Sequence, residues 1–465
     1  MLLKKLIQNY KILTSYLILG FFSFFINFYY ASYGLFPIDS LAHFDTSYRI
    51  LLGEFPFEDY WTISGPIIDY IQSIFFYFFG VSWSAYIFHP SILNSILTIF
   101  IFYFFLEIGI NEAFSFFYAL CFSFLAYTSS GTLFVDHHST FFSLIAVLLI
   151  YLNFEKNSKL ICFLIPILFF VAFFSKQVPA SYIILFSSLI VLLDTFLEKK
   201  YILIKYYFLG FLFSLIVFFI IGYLSKISLE NFLIQYIFYP QSLGNSRISN
   251  LNINFKNVFL DFKLIYFLLI PLSLIVISNL IKNKKNTFLN KNFYRLIIII
   301  LFVLSLIFHQ LITQNQIFIF FLIPILAAIL QFEMKKIKLN KTIYFFLIIV
   351  FTIYATQKYH FRFNENRKFQ ELVYVNIDDS IDARIIDPRL KNLKWITPSN
   401  KNPLIETEEI KISINFINQS KNNMMVITNY SFFSALTNKK LFSPMRWFIM
   451  NGNSHPLPEN KYYNN

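Results

Sequence analysis

Residues 206–224 read YYFLGFLFSLIVFFIIGYL, a stretch without a charged residue. A helix needs about 20 mostly apolar residues to cross the roughly 30 Å of hydrocarbon in a bilayer. Ten other runs are candidates for the same structure, some of them short. They lie at roughly 12–31, 84–106, 113–130, 138–153, 160–175, 178–197, 263–281, 294–312, 316–333 and 343–358. The sequence therefore predicts an all-α polytopic membrane protein with about eleven transmembrane helices.

The composition supports this fold class and limits the partners. Of the 465 residues 57% are hydrophobic and only 14% are charged, and the mean hydropathy is +0.60. The net charge of +13 does not indicate nucleic-acid binding, because the lysines cluster between the apolar runs, as membrane topology requires. Cys121 and Cys162 lie inside apolar runs and predict neither a disulfide framework nor a thiolate metal site. The expected partner is the lipid bilayer.

The distribution of basic residues predicts the orientation. With a cytoplasmic N-terminus, which we interpret as a retained signal anchor, the inside segments hold 17 Lys and Arg and the outside segments hold 5. This bias places loop 32–83 and everything after about residue 359 outside the cytoplasm. We therefore divide the chain into a membrane domain, residues 1–359, and an extracytoplasmic domain, residues 360–465.

Loop 32–83 is predicted to carry two short helices on the outer membrane surface. Residues 67–79 are apolar but too short to span. Pro66 suits the first turn of a helix and Gly80 its end. Asp69 and Gln72 break the apolar surface of this segment. Segment 40–52 has an apolar stripe at helical spacing, formed by Leu41, Phe44, Tyr48 and Leu51.

The C-terminal domain is predicted to be a small α/β unit, because charges and prolines return after residue 360. Residues 404–420 are expected to form a helix with Ile410, Ile414 and Ile417 on one face. Residues 424–428 are expected to form a short buried strand.

The first candidate catalytic residues lie near the start of loop 32–83. Asp39 and His43 stand one helical turn apart, so they share a face if this segment is helical. A carboxylate can accept a proton as a general base at neutral pH, and His43 could position it, help hold a divalent cation or meet a phosphate. The alternative is that Asp39 only caps the following helix. Asp45 and Arg49 are better interpreted as a surface salt bridge.

A second acidic pair follows in the same loop. Glu58 and Asp59 precede Tyr60 and Trp61. Aromatic rings beside carboxylates suit sugars, whose apolar faces stack and whose hydroxyls donate hydrogen bonds. The alternative is an interfacial loop with an aromatic belt residue.

Ionisable residues also stand at the predicted outer ends of later spans. Asp136 and His138 are costly there unless they have partners, and we predict that they face a site. Lys176 and Gln177 form the turn between two apolar runs, and a phosphate would explain the lysine, although a lysine that extends to the interface is the alternative. Arg247 is a second phosphate candidate. His309 is interpreted as a polar packing contact.

Taken in order, these features resemble the GT-C superfamily of integral-membrane glycosyltransferases. The nearest branch is the bacterial one that includes lipid A aminoarabinose transferases and relatives of the protein O-mannosyltransferases. The resemblance rests on Asp39 after the first span, the segment from Gly53 to Gly80, and Lys176 after the fifth span. It covers residues 12–200 well, the later spans by topology only, and the C-terminal domain hardly at all.

The resemblance implies an activity and a set of roles. It implies inverting transfer of a sugar from a polyprenyl-phosphate donor to a glycan, lipid or protein acceptor, outside a bacterial inner membrane. Asp39 would be the catalytic residue. The substrate-binding residues would be His43, Glu58, Asp59, Asp136, His138, Lys176, Gln177 and Arg247. Many relatives have two adjacent acidic residues where this chain has Asp39 followed by Ser40, which leaves the need for a divalent cation open.

Two other classes of function compete with a transferase. One is a transporter or flippase of lipid-linked saccharides, which would place polar groups at the membrane midplane in related halves of the chain. Here the ionisable groups gather near the ends of spans and no internal repeat is visible. The other is a polymerase or ligase, whose basic residues would concentrate in a late outer loop, where this chain has Arg247.

Overall fold

The protein is largely helical in a computed structural model, which describes residues 2–282, 291–314, 319–335, 341–399, 402–437, 439–448, 452 and 454–463. Within these residues, seven helices are long and apolar enough to cross a membrane. They are Tyr10–Tyr30, Trp83–Glu107, Val135–Lys156, Gln177–Leu197, Tyr201–Leu224, Lys291–Thr313 and Thr342–Gln370. Because seven such helices lie in one chain, the predicted class of multi-pass helical membrane protein is supported.

Each of the eleven predicted runs coincides with a helix, but four of these helices are short. The first of the seven long helices begins at Leu2, and the last is a helix Lys341–His360 that continues through short helical turns. The four short helices are Glu112–Leu125, Lys159–Ser175, Lys263–Ser278 and Ile319–Met334. The count of eleven crossings therefore stays a prediction.

The helices differ in how much of their surface the protein covers. Val135–Lys156 is the most enclosed, with 83% of its apolar window buried, whereas Tyr201–Leu224 has only 11% buried. The outer helix exposes large apolar side chains such as Phe211, Ile216 and Phe219. Apolar side chains exposed along a whole helix are stable only against lipid. Val135–Lys156 therefore lies at the centre of the bundle, and Tyr201–Leu224 lies at its edge.

Loop 32–83 folds into three short helices, Pro37–Ser40, Phe44–Leu51 and Pro66–Phe79. The last confirms the helix predicted at 67–79, with Pro66 in its first turn and Gly80 at its end. Asp69 and Gln72 do not break an exposed surface as the sequence suggested, because both side chains are fully buried. The helix turns these polar groups toward the protein.

Short helices and one small sheet make up the C-terminal segment. Pro403–Gln419 confirms the predicted helix, with Ile410, Ile414 and Ile417 buried on one face. The predicted strand at 424–428 is wrong, because this stretch pairs with no neighbouring strand in the described structure. Its backbone instead makes isolated hydrogen bonds, such as the one that the Val426 carbonyl accepts from Ser443 Oγ. The segment also contains the antiparallel strands Ile381–Asp382 and Lys394–Trp395, helix Phe433–Thr437, and several short 3₁₀ or π turns between Phe361 and Leu390.

The C-terminal segment and loop 32–83 share one hydrophobic core. Phe44 and Trp83 of the loop region belong to the same buried cluster as Leu390, Trp395 and Phe432. Backbone bonds join the two parts as well, from Gly34 N to Lys394 O at 2.9 Å and from Trp61 N to Pro444 O at 2.7 Å. The two segments consequently fold as a unit over one end of the helix bundle.

Candidate functional site

Asp136 is the centre of a buried ionic cluster where three helix ends meet. It lies in the first turn of Val135–Lys156, and its Oδ2 is 2.6 Å from Lys176 Nζ. Its Oδ1 is 2.7 Å from Nε2 of His309, near the end of Lys291–Thr313. Only 4% of Asp136 is exposed. Because a buried carboxylate is costly without partners, these two contacts explain how the charge is accommodated.

Asp39 shares the electrostatic environment of that cluster. It lies in Pro37–Ser40 and is partly exposed. Burial raises the pKa of its carboxyl to about 6, the Asp136 carboxylate adds to this rise, and the Lys176 ammonium opposes it. Within the described residues no side chain or backbone N–H donates to Asp39. The charges of Asp136 and Lys176, which the sequence analysis also selected, thus act on the Asp39 carboxyl.

His43 belongs to a second buried cluster. Its Nδ1 lies 2.6 Å from Oδ1 of Asp69, and Thr46 Oγ1 donates to the same oxygen at 2.9 Å. The other oxygen of Asp69 accepts from Arg446 Nη2 at 2.5 Å. Loop 32–83 and the C-terminal segment therefore build this cluster together.

Gly65 joins the two clusters. Its φ of +73° is in the left-handed region that favours glycine. A Cβ at this position would lie 2.7 Å from His43 Cε1 and 2.8 Å from Val135 Cγ1. Val135 directly precedes Asp136, so the absence of a side chain at Gly65 lets the His43 ring pack beside the helix that carries the first cluster.

A chain of polar side chains continues into the protein from helix Val135–Lys156. His138 Nδ1 contacts Tyr127 Oη at 2.5 Å, and His138 Nε2 contacts His89 Nε2 at 3.2 Å. His89 then contacts Gln72 Oε1 at 3.2 Å. Because protein groups occupy both ring nitrogens of His138, its predicted contact with a substrate stays a prediction.

Four of the selected residues lie outside the two clusters. Glu58 and Asp59 are exposed, and Asp59 accepts from Phe55 N at 2.7 Å in a local turn. Gln177 donates to the carbonyls of Ile63 and Tyr236 at 2.8 and 2.7 Å, which ties two loops together. Arg247 is exposed on helix Tyr239–Ser249 and acts electrostatically on His309.

The structure also contains a large apolar groove. Two adjoining cavities, of about 620 and about 510 Å³, share Phe170, Phe174, Phe218 and Phe232. The larger runs between the helices Lys159–Ser175, Gln177–Leu197 and Tyr201–Leu224. The smaller reaches Pro66 and Tyr70, on the helix that carries Asp69, and is also lined by Lys226. The groove is large and apolar enough to accept a long apolar chain.

The sequence analysis missed Asp69 and Arg446 and underrated His309. Asp69 was visible as an acid in an apolar helix, and its burial could have been inferred from that cost. Arg446 was equally visible in the sequence, as a charge between Met445 and Trp447 in the largely apolar stretch 444–450, but its partner was not. Among the described residues there is no group of three or more His, Cys, Asp or Glu side chains that could hold a metal ion.

No protein-family model, no curated protein and no solved structure matches this chain. Its long apolar helices place the protein in the class of multi-pass helical membrane proteins. The site adds that this protein gathers buried ionisable groups at one end of its bundle, and the protein also holds an apolar groove.

Proposed function

We propose that the protein is an inverting glycosyltransferase of the GT-C type, which moves a sugar from a polyprenyl-phosphate donor to a hydroxyl of a glycan, lipid or protein acceptor. The observation that carries this proposal is the Lys176–Asp136 pair, whose charges act on the Asp39 carboxyl, in a protein that also holds a large apolar groove. Phe173 and Phe174 line the groove and stand just before Lys176 in the chain. A lipid tail in the groove would thus bring its phosphate toward a cation.

The reaction assigns one role to each charged group. The acceptor oxygen attacks the anomeric carbon, the bond from that carbon to the phosphate oxygen breaks, and the lipid phosphate leaves with the electron pair. Asp39 takes the proton of the acceptor hydroxyl, which its raised pKa favours. Lys176 stabilises the charge that develops on the phosphate, since a fixed cation acts most strongly where water is excluded. Asp136 and His309 hold the lysine in place.

The finer topology forms part of the proposal. We place the N-terminus in the cytoplasm, and loop 32–83 and the C-terminal segment outside a bacterial inner membrane, because 17 of the Lys and Arg counted lie in the inside segments and 5 in the outside ones. The four shorter helices would complete eleven crossings. The soluble segment after residue 359 would cover the site from outside, a placement supported by the core that it shares with loop 32–83.

A transporter or flippase of lipid-linked saccharides is the second candidate, because the same groove would suit it. The position of the ionisable groups favours the transferase: Asp39, Asp136 and Lys176 stand at ends of helices, whereas transporter sites lie near the midplane on broken helices. A polymerase would need a late outer loop rich in basic residues, whereas loop 225–262 holds only Lys226, Arg247 and Lys256.

The experiment that tests the proposal is sugar transfer by the purified protein in phosphatidylcholine vesicles. A panel of radiolabelled synthetic polyprenyl-phosphate sugars serves as donors, and lipid, glycan and peptide fractions serve as acceptors. Transfer with inversion from at least one donor supports the transferase. Movement of the labelled lipid across the vesicle, without transfer from any donor, would support the flippase instead.

A further inference from the structure

Asp69 is held as a fixed acceptor at the centre of the second cluster. It is fully buried in the first turn of helix Pro66–Phe79. Its carboxylate meets three donors, His43 Nδ1, Thr46 Oγ1 and Arg446 Nη2, at 2.6, 2.9 and 2.5 Å. A carboxylate in contact with a guanidinium only accepts hydrogen bonds. The ring nitrogen that faces Asp69 must therefore carry a hydrogen.

This contact fixes the tautomer of His43. In a neutral imidazole one nitrogen carries the hydrogen and donates, and the other accepts. A hydrogen-bond partner at one nitrogen therefore decides whether the other nitrogen donates or accepts. Burial lowers the pKa of His43, more than Asp69 raises it, so the ring is neutral near pH 7. With hydrogen on Nδ1, Nε2 presents a bare lone pair. Nε2 has no hydrogen-bond partner in the part of the chain that the structure describes.

We propose that Nε2 of His43 binds a hydroxyl group of the substrate, and that Asp69 and Arg446 position the ring for this contact. A hydroxyl donates to the bare nitrogen, whereas the oxygens of an ionised phosphodiester present only lone pairs and are repelled. A metal ion would also accept the lone pair, but the described residues bring no three metal-binding side chains together around it. The group recognised at His43 is thus a hydroxyl of a neutral sugar or another polyol.

The position of the ring suits such a role. His43 Cε1 packs against Gly65, and Gly65 in turn contacts Val135, beside Asp136. The hydroxyl would be held on the side of the ring that is next to the first cluster. The identification of this hydroxyl as one of the acceptor rests on the proposed transferase, whereas the tautomer and the preference for hydroxyl over phosphate do not.

The test reads the tautomer directly, by ¹⁵N NMR of histidine-labelled full-length protein in phosphatidylcholine nanodiscs. His43→Gln identifies the His43 signals by difference. Methyl glucoside and dimethyl phosphate, a phosphodiester without an O–H group, are the probes, and each is added separately to the same sample. We expect wild-type His43 to show a protonated Nδ1 and an unprotonated Nε2, and we expect methyl glucoside, not dimethyl phosphate, to shift the Nε2 signal.

Asp69→Asn provides the decisive variant. Arg446 requires an oxygen, so the amide NH₂ of the new side chain should face His43 Nδ1 and move the ring hydrogen to Nε2. With hydrogen on Nε2 the ring becomes a donor, so dimethyl phosphate should shift the Nε2 signal in this variant, unlike in the wild type. Glu54→Gln is the matched control, because Glu54 is an equally buried carboxylate paired with Arg49 in the same loop, and it should leave the His43 signals unchanged.

Three results would overturn the inference: hydrogen on Nε2 in the wild type, a shift of the wild-type Nε2 signal by dimethyl phosphate, or no response to methyl glucoside. None of these depends on a sugar donor or on turnover. A protein that transfers no sugar can therefore still support the His43 site, and an active transferase can still contradict it.

Discussion

Lys176 Nζ lies 2.6 Å from Asp136 Oδ2, although 40 positions separate the two residues in the chain. Lys176 stands between the helices Lys159–Ser175 and Gln177–Leu197, and Asp136 lies in the first turn of helix Val135–Lys156. A second bond, from Ser139 Oγ to the Lys176 carbonyl at 3.1 Å, holds the same turn against the same helix. These two contacts therefore fix the lysine against the start of helix Val135–Lys156.

Lys176→Met should lower the rate of transfer by about 10²–10³-fold, the usual effect of removing one group that stabilises a developing oxyanion. It should also destabilise the fold, since Asp136 loses its cation, and breaking a buried pair from one side costs about 3–5 kcal/mol. Transfer assays and thermal unfolding in detergent measure the two effects.

The double variant Lys176→Met with Asp136→Asn separates the two roles of the lysine. It should recover most of the lost stability and none of the lost rate, because the orphaned charge is gone but so is the cation. Lys156→Met is the control, because Lys156 forms a half-exposed pair with Glu107 away from the site. Full activity in Lys176→Met would exclude the lysine from the mechanism.

Asp39 should produce an acid limb in the pH profile of the reaction. Its pKa is raised from 3.8 to about 6, so the rate should fall as pH decreases through about 6, where the base becomes protonated. The limb should be absent from the residual activity of Asp39→Asn. A rate that stays constant down to about pH 4.5 would contradict the assignment.

The raised pKa of Asp39 also makes the stability of the protein depend on pH. A raised carboxyl pKa favours the folded state only while the group is protonated, and this contribution is lost as pH rises from 3.8 through about 6. Asp39→Asn, which cannot ionise, should therefore be at least as stable as the wild type near pH 8. Thermal unfolding checks this, with the exposed Asp59→Asn as control.

Gly222→Phe tests the groove. Gly222 lines the smaller cavity, and a Cβ there would meet nothing within 4 Å, so a large side chain can enter the groove without displacing the backbone. We expect the KM for a long polyprenyl donor to rise about tenfold, with a smaller effect on a short-chain donor. Gly244→Phe, at an equally open position outside the groove, should change neither. Equal effects of the two substitutions would contradict a lipid site.

Gly65→Ala should disrupt the junction of the two clusters. The alanine would keep a strained backbone at φ +73°. Its Cβ would also lie only 2.7 Å from His43 Cε1 and 2.8 Å from Val135 Cγ1. Strained left-handed residues cost about 1–3 kcal/mol each. Gly53→Ala isolates the strain, since Gly53 has φ +80° and open space around its Cβ. Gly65→Ala should be the more destabilising of the two in thermal unfolding, and equal losses would show that the His43 contact is unimportant.

The sequence predicted the helices better than the contacts between them. Spans such as 206–224 are recognisable because a bilayer demands length and apolarity from each helix separately. The prediction of a strand at 424–428 was wrong because a strand needs a paired neighbour. Here the Val426 carbonyl accepts a hydrogen bond from the Ser443 hydroxyl instead. Asp39, Asp136 and Lys176 were found as costly charges near helix ends, a property that is local.

Arg446 is a charged residue among apolar neighbours, but this local signal does not identify its partner. That partner is Asp69, 377 positions away in the chain, and the sequence does not indicate that the two segments meet. Asp69 was visible but was assigned to the wrong side of its helix, because an amphipathic pattern does not say whether the polar face meets water or a buried guanidinium.

The central claim is tested most directly by sugar transfer with Asp39→Asn beside the wild type and the exposed control Asp378→Asn, using the best polyprenyl-phosphate donor. We predict that wild type and Asp378→Asn transfer at similar rates and that Asp39→Asn loses transfer, by at least the roughly 10²–10⁴-fold typical of a lost general base. Near-normal transfer by a well-folded Asp39→Asn protein would contradict the claim that Asp39 is the catalytic base.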